Sequence, residues 1–208
     1  MKVLLLNGSP NQAGCTFTAL QEVASALNRQ GIETEFFYLG KKAISGCIAC
    51  GKCQETGYCC MDDKVNELLE KLPSIDGIVI GSPVYYGSSS GQLTAFLDRA
   101  FQASFWKSRW AYLPGAAVVS CRRGGATSAF EQINKYFTMN CMPVVSSQYW
   151  NQVHGNTPEE VLQDLEGLQT MRVLGSNMAW LLKSIDAGQT AGLPLPAAEE
   201  RIFTNFIR

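Results

Sequence analysis

The chain has 208 residues, a formal net charge of −1 and 17% charged residues, enough length for one domain with a sizeable core and no composition shift that argues for two. That balance offers neither a basic field for nucleic acid nor an acidic tail. The apolar run in "MKVLLLNGSP" is too short for a signal-peptide core or a bilayer span. A cytoplasmic protein with no membrane partner is therefore expected, in a compartment that keeps its eight cysteines reduced.

The run "KVLLL", closed at once by Asn7-Gly8-Ser9-Pro10, predicts a strand covered on both faces. Leu20, Val23, Ala24 and Leu27 then fall at helical spacing, with Gly31 as the stop. "TEFFYL" reads as a second strand. Val65, Leu68, Leu69 and Leu72 mark a helix capped by Asp62 or Asp63 and ended at Pro73. "GIVIGSP" predicts the third strand, and Leu93, Phe96, Leu97, Ala100 and Phe101 the helix after it. "AAVVS" is the fourth strand, 127–140 a helix, and "PVVSS" the fifth strand. "TPEE" at 157–160 is a capping box with Pro158 in the first turn and Glu160 reaching back to Thr157, before a long last helix through Leu165, Leu168 and Leu182.

Strands alternating with helices imply an α/β chain with a parallel, doubly wound sheet in three layers. Five strands fit the flavodoxin-like order 2-1-3-4-5, which places ligands beyond the carboxyl ends of the strands. Residues 1–185 make up this domain, with a cysteine-rich segment at 46–60. Residues 186–208 form an extension that suggests an arm laid on a neighbouring subunit.

Three loops at the carboxyl edge carry the chemistry. The first, "NGSPNQAGCTFT", lacks the lysine of a nucleotide-triphosphate loop and the glycine spacing of a dinucleotide turn. It offers the Ser9, Thr16 and Thr18 hydroxyls at a helix N-terminus, which suits one phosphate monoester; an ordinary capped turn is the plainer reading. The second, "GSPVYYGSSSGQL", sets Tyr85 and Tyr86 between Pro83 and Gly87, an arrangement that makes sense against a flat ring. One tyrosine packed and one merely exposed is the alternative. The third, "SCRRGGATS", supplies the Arg122 and Arg123 cations and the open backbone of Gly124 and Gly125.

These segments, "GSPNQAGCTFTAL", "SPVYYGSSSGQLTAFLDR" and "SCRRGGATSAFEQI", resemble the flavin-contacting segments of the flavodoxin-like NAD(P)H-dependent FMN reductases. The likeness covers roughly the first 175 residues, and the cysteine segment is similar to that of the iron–sulfur flavoprotein branch. The resemblance implies FMN. Its phosphate would lie in the first loop (Ser9, Pro10, Thr16, Phe17, Thr18), and its ring and ribityl chain by Pro83, Val84, Tyr85, Tyr86 and Gly87. The pyrimidine end would face Ser120, Arg122, Arg123, Gly124 and Gly125. One position departs from the family: Cys15 stands where an Asn commonly precedes the Thr.

Cys47, Cys50, Cys53 and Cys59 give the spacing C-x2-C-x2-C-x5-C. Three thiolates so placed can wrap three corners of a cubane and a fourth can close it. Zinc, which more often takes two separated C-x2-C knuckles, and a metal-free residual motif are the alternatives. The iron–sulfur flavoprotein likeness implies a 4Fe–4S cluster at these four, with Cys60 a spare. Because the segment begins just past the second strand, it is expected at the same carboxyl edge as the flavin. Cys121 and Cys141 read as buried, inert thiols. His154, the one histidine, reads as a surface or interface residue in a loop. The aromatic run at 101–113 reads as core or subunit contact, with a stacking surface for a planar acceptor second.

The expected function is an FMN-dependent oxidoreductase that moves electrons from NAD(P)H to a quinone-like, nitro, azo, metal or flavin acceptor. A non-catalytic carrier serving a ferredoxin is the alternative, and a thiol redox sensor without cofactor a third. A homodimer or homotetramer is expected.

Overall fold

The computed structural model describes residues 1–206. Its sheet is built from β1 (Lys2–Asn7), β2 (Glu33–Tyr38), β3 (Gly77–Tyr85), β4 (Ser88–Ser89), β5 (Gly115–Cys121) and β6 (Gln152–His154). The parallel strands lie in the order β2-β1-β3-β5-β6, and β4 folds back antiparallel on β3. With β4 set aside, this is the expected 2-1-3-4-5 arrangement.

The helices are α1 (Cys15–Arg29), α2 (Cys53–Thr56), α3 (Lys64–Lys71), α4 (Gly91–Phe105), α5 (Ala126–Met139), α6 (Pro158–Val161) and α7 (Leu165–Thr190). Alternation along the buried strands sends side chains to two separate cores. Leu4, Leu6, Ile78, Ile80, Ala117 and Val119 pack with α3, α4 and α5. Val3, Leu5, Val79, Ala116, Val118 and Val153 pack with α1 and α7. Three layers result, as the unbroken apolar strands require. No helix among the described residues is long and apolar enough to cross a membrane.

Four local expectations need correction. The fifth strand is Gln152–His154, not "PVVSS". Val144 makes only a single bridge to Gly115, after which Ser147 Oγ donates to Tyr149 O and Asn151 Oδ1 and turns the chain away. His154 accordingly ends a strand rather than lying in a loop. The third strand runs on through Pro83 to Tyr85, because the chain turns back there as a hairpin. In the capping box Thr157 Oγ1 accepts from Glu160 N, yet the Glu160 carboxylate accepts from Asn156 N, one residue upstream of the expected partner. The helix so started is one turn long, and α7 has its own cap, with Asp164 Oδ1 accepting from Gly167 N.

Within the aromatic run, Phe101 and Trp110 are buried and stacked, with centroids 4.4 Å apart. Trp106 lies outside the core, against Phe203 at 5.8 Å. The Arg201 guanidinium sits 3.8 Å over the Phe105 ring, so the C-terminal segment returns along the end of α4. Cys121 is buried as expected, whereas Cys141 is exposed: it forms the left-handed turn after α5, at φ 56°, outside either core.

Candidate functional site

The three loops are fastened to one another at the carboxyl edge of the sheet. Gly8 N donates to Gly81 O at 2.9 Å, and Ser90 Oγ donates to Gly8 O at 2.9 Å, joining the first loop to the second. Thr16 and Ser120 share a buried hydroxyl–hydroxyl bond of 2.8 Å, joining the first to the third. A Cβ on Gly125 would stand 2.8 Å from Gly87 Cα, so the second and third loops touch backbone to backbone.

Within the first loop, Asn7 Oδ1 accepts from Ser9 N and Ser9 Oγ from Asn11 N. Pro10 O accepts from the Tyr38 hydroxyl at 2.7 Å. Thr18 Oγ1 donates back to Gly14 O, and the Phe17 ring packs against Phe36 at 5.0 Å. Phe17 therefore faces the loop only through its backbone. α1 follows Gly14, a capping residue with no side chain to bond, which leaves the N–H groups of its first turn for a ligand. Cys15, the departure from the family pattern, turns its thiol toward Gly155 O at 3.7 Å, and burial pushes that thiol upward.

The second loop is a two-residue hairpin turn, Tyr86-Gly87, with φ of 52° and 73°. Positive φ at both central positions matches the twist of the flanking strands, but for tyrosine it is strained. That turn holds the Tyr86 ring wholly in solvent, while Tyr85 is 45% exposed. Gln132 of α5 fixes the hairpin: its Oε1 accepts from Ser88 Oγ at 2.7 Å, from Ser89 N at 3.1 Å and from Ser89 Oγ at 3.0 Å. Pro83 pairs with Ser120 in register, and Val84 lies under Gly125. In the third loop Arg122, Arg123 and Gly124 are exposed, and α5 begins at Gly125 (φ 91°) again without a side-chain cap. At the same edge His154 Nδ1 lies 3.7 Å from Asp164 Oδ2.

The cysteine segment takes another course. Gln92 Nε2 donates to Gly40 O and Lys42 O beside the second loop. From there the chain descends along α4: Ser45 and Cys59 meet Arg99, Cys53 Sγ lies 3.9 Å from Gln102 O, and Arg109 stacks on Tyr58. Arg99 and Gln102 stand roughly 12–17 Å along the helix from its start, at 1.5 Å per residue. The expected placement at the carboxyl edge is thus corrected: only the approach at Gly40 and Lys42 lies there, and the segment itself is held at the middle and far half of α4. Cys47, Cys50, Cys53, Cys59 and Cys60 line one cavity of ≈ 710 Å³, together with Phe101, Phe105, Lys135, Tyr136 and Met139.

A family model described as NADPH-dependent FMN reductase matches residues 1–157. An iron–sulfur flavoprotein of Methanocaldococcus jannaschii is 37% identical over 89% of this chain and 99% of its own length. Another, of Methanosarcina thermophila, is 27% identical over 89% of this chain and 97% of its own. Among solved structures, RosB with a bound 8-demethyl-8-formylriboflavin-5'-phosphate intermediate superposes with a TM-score of 0.68 at 14% identity, over 100% of this chain and 92% of that one. The chain belongs to the NADPH-dependent FMN reductase family, in its iron–sulfur flavoprotein branch.

For an FMN reductase the loop cluster is a fitting cradle. Two uncapped helix N-termini border it, and Gly87 and Gly124 have no atom within 4 Å of where a Cβ would stand. The thiols of an iron–sulfur flavoprotein need a separate test. Among the described residues, no three His, Cys, Asp or Glu side chains converge enough to hold a single metal ion. A cubane puts one thiolate on each of four irons, so its ligands stand further apart than those of one ion. Four thiols around one cavity, near enough that the other three help push Cys53 upward after burial has done so, suit that wider set. Cys60 Sγ lies 3.4 Å from Cys50 Sγ. The Lys52 backbone N–H first, and then Cys60, hold Cys50 below the usual thiol range.

Sequence reasoning missed Arg99, Gln132 and Asn66. Arg99 is an arginine at the margin of the apolar stripe of α4, which was its one visible signal. Gln132 looks like any polar helix residue. Asn66, which accepts from Cys59 N and donates to Cys59 O, follows the Asp63 cap without a pattern of its own.

Proposed function

We propose that this protein is an FMN-dependent oxidoreductase that draws electrons from NAD(P)H or a reduced carrier and passes them to a quinone-like, flavin or other acceptor. In this reading Cys47, Cys50, Cys53 and Cys59 hold a 4Fe–4S cluster. The observation that carries it is the bolting of three loops to one another beside two helix N-termini that have no side-chain cap. FMN supplies the redox chemistry when bound. The chain's part is to bind and orient: first-turn N–H groups of α1 and Ser9 take the phosphate, Tyr85 and Tyr86 offer faces for the ring, and Arg122 and Arg123 supply positive charge at its pyrimidine end. Cys15, turned toward Gly155, adds no side-chain donor to that phosphate site.

A second reading, an electron carrier serving a ferredoxin, is favoured by the exposure of Cys47 and Cys50. A homodimer or homotetramer belongs to either reading. Of the expected arm 186–208, residues 186–190 end α7, and Arg201 and Phe203 lie against the end of this chain's own α4. Ile202 and Phe206, at 90% and 96% exposure, would meet the neighbouring subunit, and residues 207–208 lie outside the described residues.

The test is an anaerobic preparation made with iron supplied. About four irons and four sulfides per chain are expected, with a broad absorbance beneath the flavin bands. Cys53→Ser should abolish that absorbance and leave FMN bound. A yellow preparation free of iron and sulfide removes the cluster and leaves the flavin reductase standing. Anaerobic oxidation of NAD(P)H by a quinone separates enzyme from carrier: steady turnover supports the first reading, and its absence in FMN-loaded protein supports the second.

A further inference from the structure

The Arg99 side chain is completely buried, and every nitrogen of its guanidinium is engaged. Nη1 donates to Asp63 Oδ2 at 2.7 Å and to Ser45 O at 3.3 Å. Nη2 donates to Asp63 Oδ1 at 3.0 Å, Met61 O at 3.1 Å and Cys59 Sγ at 3.2 Å. Nε donates to the same Cys59 sulfur at 3.3 Å. One side chain of α4 thus grips the start of the cysteine segment at Ser45, its end at Met61 and Asp63, and one of its thiols.

Two adjacent cysteines compete for the fourth corner of the cluster. Cys60 Sγ points at Cys50, whereas Cys59 Sγ receives two guanidinium N–H groups and its backbone is clamped by Asn66. We propose that Arg99 is the positioning residue of the cysteine segment: it folds residues 45–63 onto α4 and fixes Cys59, rather than Cys60, as the fourth thiolate. This rests on the cluster reading above. A planar fork with five donors meets carboxylate, carbonyl and sulfur at once, which a lysine ammonium cannot do from a single atom. Its N–H groups remain available to the sulfur of a metal-bound thiolate, where such bonds tune the metal centre.

The experiment compares wild type with Arg99→Lys and Asp63→Asn, each first shown to bind FMN one to one. In metal-free protein, hydrogen exchange of the amides at 53–59 should quicken at least tenfold in Arg99→Lys and less in Asp63→Asn, while β1 and β3 stay protected. After anaerobic reconstitution Arg99→Lys should hold less than half the wild-type iron, and the cluster that remains should titrate at a more negative potential, since N–H···S bonds favour the reduced form. Cys59→Ser should lose the cluster in wild type while Cys60→Ser keeps it, and in the Arg99→Lys background that difference should disappear. Unchanged exchange, iron content and potential in Arg99→Lys, with wild type fully loaded, would overturn the role of Arg99 alone. A wild type that takes up no iron would overturn the cluster reading, and the ligand-positioning role with it.

Discussion

Thr16 carries a hydroxyl that the sequence places on a phosphate and that, in the structure, also holds a neighbour. Its bond to Ser120 is buried on both sides. Thr16→Val keeps the shape and leaves Ser120 Oγ without a partner, a loss of about 1–3 kcal/mol. Urea unfolding of the FMN-free protein should show that loss, and adding Ser120→Ala should cost nothing more, because the pair acts as a unit. FMN and riboflavin should weaken together, since the hydroxyl acts by tying loops; a loss confined to FMN would place it on the phosphate instead. Tyr136 gives a second test at this scale. Burial first, and then the hydrogen bond to Asp98, raise its phenol far above the ordinary range. An unfolded tyrosine ionises near pH ~10, so above that pH the unfolded chain sheds a proton that the folded chain retains. The contribution of Tyr136 is complete below that pH and is lost as the pH rises further. Denaturation at pH 8 and at pH 11 should find the stability margin of wild type over Tyr136→Phe smaller at the higher pH.

Among elements, the hairpin of β3 and β4 holds a strained backbone, with Tyr86 and Gly87 both at positive φ. Gly125→Ala would drive a Cβ to 2.8 Å from Gly87 Cα at a φ of 91°. A loss of about 1–3 kcal/mol is expected in thermal unfolding, with weakened FMN retention. Gly124→Ala, with open space around it, should be nearly silent in the unfolding of the FMN-free protein. Tyr86→Gly should behave in the opposite sense for the fold: relief of the left-handed backbone should stabilise the FMN-free protein by about 1 kcal/mol, while flavin affinity falls for want of the ring. Calorimetric unfolding and flavin titration of the same variant check both halves. The strands and long helices were legible because their apolar periods run unbroken, as in "KVLLL" and in Leu93 to Phe101. The hairpin was not, since Tyr86 carries no local mark of a left-handed φ. The fifth strand was misplaced because Val144 and Val145 have more strand character than Gln152–His154, and only pairing with Val119–Cys121 decides between them.

At the scale of the whole molecule, the loop cluster was readable because strand alternation brings every β–α loop to one edge, whatever the details of each loop. The path of residues 40–63 was not readable, since a segment without periodicity takes its course from what grips it, here Gln92, Arg99 and Asn66. Cys53 and Cys59 consequently pack, partly buried, against the edge of one core, while Cys47, Cys50 and Cys60 stay exposed. α4 then has a consequence of its own. Its first turn is capped by Ser90, which also binds Gly8, and its middle holds the cysteine segment through Arg99. A hydrogen-bonded helix packed on the sheet hardly stretches, so within one chain it acts as a gauge block between the flavin loops and the thiols, set by eight residues at ~1.5 Å each. Ligands at either end can change orientation and charge there, but they do not alter that spacing, which is written into residue count alone.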